Sequence, residues 1–73
     1  MIGRRRGRVR TFDERRGLGE IESDDGTTFP FHCTAIADGT RTIEVGAAVE
    51  FVVVPGHLGL WEAAAIEPAT PTR

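Results

Sequence analysis

A chain of 73 residues has room for one small domain, which buries only about 60% of the surface its unfolded chain exposes and so needs an efficient core. One cysteine excludes an internal disulfide, and with only two histidines beside it falls short of a structural zinc set, so no metal or other cofactor is expected. The net charge of −2 conceals a division: residues 1–16 hold seven arginines against Asp13 and Glu14, a net +5, while the remaining residues carry −7.

Residues 1–6 show no apolar periodicity and read as a flexible basic lead. Such an arm attracts phosphates or, more simply, keeps the chain soluble. Nothing apolar approaches the roughly 20 residues of a membrane span, and no apolar signal segment follows the arginines, so no membrane partner and a cytoplasmic setting are expected.

Order is expected to begin at Gly7. Arg8 to Phe12 alternates as a half-buried first strand with Val9 inward, and Asp13-Glu14-Arg15-Arg16 forms a charged turn. The second strand, Gly17 to Ser23, carries glycines at 17 and 19, which inside a strand imply a close approach or a sharp coil. Asp24-Asp25-Gly26 is a hairpin signal, and the third strand, Thr27 to Cys33, places Phe29 and Phe31 on the core side. Pro30 in that strand implies an edge or an unpaired amide.

A long connection over 34–42 precedes the fourth strand, Ala47 to Val54, with Val49, Phe51 and Val53 in register on one face. Pro55 to Gly59 is a turn, Leu60 to Ile66 the fifth strand, and residues 68–73 a proline-containing tail, leaving 7–67 as the domain. Five short strands with one long connection suit an all-β fold, a small antiparallel barrel.

The order of motifs resembles the cold-shock domain family over Gly7 to about Ile66. Gly7 to Asp13 is similar to the family's opening Gly-x-Val-Lys-Trp-Phe-Asn. Arg16 to Ile21 is similar to its first ribonucleoprotein motif, Lys-Gly-Phe-Gly-Phe-Ile, and Phe29 to Cys33 to its second, Val-Phe-Val-His-Phe. Thr34-Ala35-Ile36 and Arg41 to Gly46 stand where Ser-Ala-Ile and Arg-Thr-Leu-x-Glu-Gly are usual. The resemblance implies a five-stranded antiparallel OB-fold barrel that binds single-stranded RNA or DNA without catalysis, as an RNA chaperone or expression regulator.

Stacking aromatics of the family stand at the positions of Thr11, Leu18, Glu20, Pro30 and Cys33, and this chain keeps only Phe12 and His32 of the platform. Each lost stacking contact removes roughly 1–3 kcal/mol per base, so weakened stacking is expected. The candidate contacts are then Arg8, Arg10 and Arg16 for phosphates, Phe12, Leu18 and His32 on the platform, and His57 with Trp61 as a displaced stacking surface. Phe12 is open to two placements, since a bulge in the first strand would bury it, and Trp61 equally suits an anchor for the fifth strand.

Catalysis is not expected: Cys33 and His32 point to opposite faces of a strand, Asp24-Asp25 is turn chemistry, and no phosphate loop is present. The alternative function is a protein-interaction module using Leu18, Pro30, Cys33 and Val52 or Val54 as an apolar patch. A monomer is expected, with a homodimer under that alternative.

Overall fold

The computed structural model describes residues 4–37, 39, 42–56 and 59–69. Five antiparallel strands lie in the order β3-β2-β1-β4-β5: β1 Arg5–Asp13, β2 Leu18–Ser23, β3 Thr28–His32, β4 Ala48–Pro55 and β5 Trp61–Pro68. The outermost strands, β3 and β5, come back against each other and close the barrel. Val9, Ile21, Phe29, Phe31, Val49 and Phe51 all point inward as their alternation requires, and the rings of Phe29 and Phe51 meet at 5.9 Å, tilted by 59°.

Two bulges interrupt the alternation, and both change which residues reach the core. In β1 the register slips between Val9 and Thr11, leaving Arg10 as the extra residue and turning Phe12 rather than Thr11 inward. In β4 and β5 it slips between Glu50 and Val52 on β4, where Ala65 of β5 adopts φ 51°, a left-handed conformation that an L-residue holds only under constraint. The second bulge lets Ala63 and Ile66, three residues apart, both be buried.

Where they are described, the ends of the domain differ from expectation; residues 1–3 of the expected lead and 70–73 of the expected tail lie outside the described residues. β1 starts at Arg5, not Gly7, because Arg5 and Arg6 pair in register with Phe51 and Glu50 of β4. Arg4 joins them, donating to the Ala65 carbonyl at 3.0 Å. At the other end Pro68 pairs with Val49 as the last residue of β5, and Ala69 N–H donates to Ala48 O at 3.0 Å, so the sheet reaches past the expected boundary at residue 67. Cys33, expected to end β3, instead opens a 3₁₀ turn over Cys33–Ala35. That turn delivers Ile36 to a parallel bridge with Ile66 and into the core, a role the sequence pattern of a long connection conceals.

The glycines of the second strand provide clearance more than curvature. Gly17 sits at φ 68° in the β1–β2 turn with the Cys33 sulfur against it, and a Cβ there would lie 2.9 Å from Sγ. At Gly19 a Cβ would lie 2.6 Å from both the Phe31 ring and the Thr11 carbonyl, so only glycine lets that ring pass under β2.

Candidate nucleic-acid interface

Residues directly opposite one another in an antiparallel ladder share a face. Across β1, β2 and β3 the inner face therefore carries the rows Val9–Ile21–Phe29 and Phe12–Gly19–Phe31, and the outer face Thr11–Glu20–Pro30 and Asp13–Leu18–His32. The two outer rows floor an open cleft of about 390 Å³, bordered by Arg16 from the β1–β2 turn and by Glu62 from β5. The structure thus brings Arg16, Leu18 and His32 together.

Phe12 is not with them. The β1 bulge turns it to the inner face, where its ring stacks on Phe31 at 5.9 Å with 1° between the planes. This removes Phe12 from the platform and leaves His32 as the outer face's one aromatic ring among the described residues. Leu18 is half-buried, whereas Glu20, Pro30 and His32 are exposed.

The arginines divide into two groups. Arg4 pairs with Glu50 at 3.6 Å and Glu67 at 3.5 Å, Arg6 with Glu50 at 3.2 Å, and Arg5 with Asp25 at 3.3 Å while lying 5.5 Å from the centroid of the Phe29 ring. Arg8 donates to the Gly46 carbonyl at 3.1 Å. By contrast, the guanidinium groups of Arg10, Arg15 and Arg16 engage no hydrogen-bond or ion-pair partner among the described residues. Arg15 was not singled out by the sequence, since nothing in a charged turn distinguishes a committed arginine from a free one.

The cleft's carboxylates divide in the same way. Asp13 accepts from the backbone N–H of Arg15 at 3.0 Å and of Arg16 at 3.3 Å, which fixes the turn and holds Arg16 at the cleft's border. The Glu62 carboxyl packs over Gly56, where any side chain would collide with it. Glu20 alone of the three engages nothing among the described residues. Asp13 and Glu62 were missed as site residues: one reads as a turn acid, and the other reaches the cleft only because β5 closes against β3.

Trp61 lies elsewhere. It stands opposite Pro55, is 57% exposed, and lines a second cleft of about 390 Å³ with Arg5, Asp25, Thr27, Phe29 and Val53. Adjacent residues Trp61 and Glu62 thus project one side chain into each cleft. His57, the proposed companion of Trp61, falls outside the described residues. In the second cleft the Asp25 carboxyl is held below the usual carboxylate range, chiefly by hydrogen bonds from Thr27, whose backbone N–H donates at 3.0 Å, with a smaller contribution from Arg5.

No group of three or more metal-ligating side chains occurs among the described residues, and no helix there is long and apolar enough to cross a membrane.

Comparison with known proteins gives a consistent family. The profile of the 'Cold-shock' DNA-binding domain matches residues 5–68. The chain is 43% identical over 54 residues to the cold shock-like protein CspC of Bacillus cereus, covering 73% of this chain and 83% of that protein. It is 40% identical over 55 residues to the cold shock protein CspB of Bacillus caldolyticus, covering 74% and 83% respectively. Among solved structures, the Drosophila Unr CSD456 structure superposes with a TM-score of 0.77 at 25% identity, covering 96% of this chain and 28% of that one.

Proposed function

The chain belongs to the cold-shock domain family, a family of non-enzymatic nucleic-acid-binding OB-fold barrels, and on that premise we propose that it holds single-stranded RNA or DNA across the outer face of β1–β3. Its role is that of a cytoplasmic RNA chaperone or expression regulator whose affinity comes more from phosphate contacts than from base stacking. The observation that carries this reading is the division of the arginines: Arg10, Arg15 and Arg16 are uncommitted on and after the β1 bulge, and Arg16 borders the cleft. Guanidinium groups without internal partners are the ones able to pair bidentately with phosphate.

Base contacts are few. His32 offers an exposed imidazole to stack on or hydrogen-bond a base, Leu18 an apolar wall, and Trp61 a displaced stacking surface beyond Glu62. Thr11, Glu20 and Pro30 offer no aromatic ring.

Fluorescence anisotropy of labelled oligo-dT and oligo-U across a salt series tests the proposal, with Trp61 emission as a second readout. Three phosphate contacts on a single strand give a log–log salt slope of roughly −2, and Arg16→Ala is expected to flatten it by about 0.7. Affinity that ignores salt would overturn the phosphate mechanism. A concentration-dependent dimer on size exclusion that ignores added oligonucleotide would assign the face to protein contact instead.

A further inference from the structure

We infer that Glu20 makes the outer-face cleft select guanine. The inference rests on the nucleic-acid-binding reading above and adds the base that the site prefers. Of the three carboxylates around the cleft, Asp13 is bonded to two turn amides and Glu62 lies over Gly56, so Glu20 is the one able to meet a ligand without first breaking an internal contact. Its cross-strand neighbours are Thr11 and Pro30, and neither brings a charge that would neutralise it.

An ionised carboxylate is an acceptor only, with two oxygens side by side. Guanine is the one common base whose Watson–Crick edge presents two adjacent donors, N1–H and N2–H, and it can meet both oxygens at once. Its O6, on the other side of N1, then needs a donor, and Arg16 and His32 border the same cleft. Adenine and cytosine offer one amino group beside a ring-nitrogen acceptor, which faces the second carboxylate oxygen lone pair to lone pair. Uracil and thymine are the poorest fit, because their single N–H is flanked by two carbonyls.

Glu20 also raises the cost of bringing any phosphate backbone to the face. Only a base that satisfies the carboxylate offsets that cost, so the same side chain disfavours the wrong strand as well as favouring the right one. A well-formed bidentate pair discriminates by roughly tenfold or more.

The test uses labelled hexauridylate and four variants with one internal uridine replaced by guanosine, inosine, adenosine or cytidine, at one low salt concentration. A single guanine avoids self-association of guanine runs, and inosine lacks only the N2 amino group. The guanosine hexamer is expected to bind roughly tenfold tighter than hexauridylate, with inosine between them. In Glu20→Gln the preference should shrink to within about twofold while hexauridylate affinity rises, since one negative charge is gone. Because Glu20 is exposed, a circular dichroism melt of this variant is expected to match the parent. Equal binding of the guanosine and uridine hexamers, or a guanine preference that survives Glu20→Gln, overturns the inference and leaves nucleic-acid binding intact. Failure of every hexamer to bind overturns that binding, and the guanine preference with it.

Discussion

The inner and outer faces of β1–β3 are built from the same three strands, yet they differ in what their residues answer to. Inside, Val9–Ile21–Phe29 and Phe12–Gly19–Phe31 form an interlocked layer in which even the hydrogen of Gly19 is set by the Phe31 ring beneath it. Outside, Thr11, Glu20 and Pro30 stand opposite one another and exposed to solvent. Because alternate residues of a strand project to opposite sides, one face can change its chemistry while the other keeps the fold. In this protein the inner face therefore fixes the barrel independently of the outer one, and each face should respond to substitution in its own measurement.

The largest contrast is between Phe31 and Glu20. Phe31→Ala empties the centre of the core and also strips Phe12 of its stacking partner, so thermal or urea unfolding should show a loss of about 3–5 kcal/mol. Glu20→Phe should leave that unfolding curve nearly unchanged while adding a stacking ring and removing a negative charge, strengthening oligo-U binding by about 1–3 kcal/mol in anisotropy titrations. A Glu20→Phe variant that unfolds early would show that the two faces are coupled after all.

A smaller effect comes from the β2–β3 turn, where an exposed carboxylate nevertheless helps to hold the fold. The folded state lowers the pKa of Asp25 below its ordinary 3.8, so its charged form favours folding. That stabilisation is fully present above the unfolded value and disappears as the pH falls through the lower, folded one. Stability measured between about pH 5 and pH 2 should consequently fall less steeply in Asp25→Asn than in the parent, and parallel curves would show that folding does not hold the Asp25 carboxyl below its unfolded value.

Much of the fold could be read from the chain because its signals are local. The alternation of Phe29 and Phe31, the β-branched run through Val49 and Phe51, and the Asp-Asp-Gly turn each declare themselves within a few residues. The bulges do not, since a register slip at Arg10 or Ala65 is decided by the partner strand, and so the inward turn of Phe12 was one of two open placements and the burial of Ile66 beside Ala63 went unseen. The start of β1 at Arg5 depended on Glu50 and Phe51, more than forty residues away. For the same reason the site was half legible: sequence motifs located Arg16, Leu18 and His32, but which arginines and which carboxylates remain uncommitted is a property of the closed barrel alone.

Pro30 carries one more consequence. Strands β3 and β5 end the hydrogen-bonded order and meet each other without a ladder between them, so each keeps a margin whose backbone groups no partner strand takes up. A proline within a ladder has its nitrogen on the unpaired side, so the margin of β3 lacks a donor at its middle residue. Pro30 thus interrupts the template along which copies of this chain could add edge to edge, and a gap in that template works against fibrous growth from this margin.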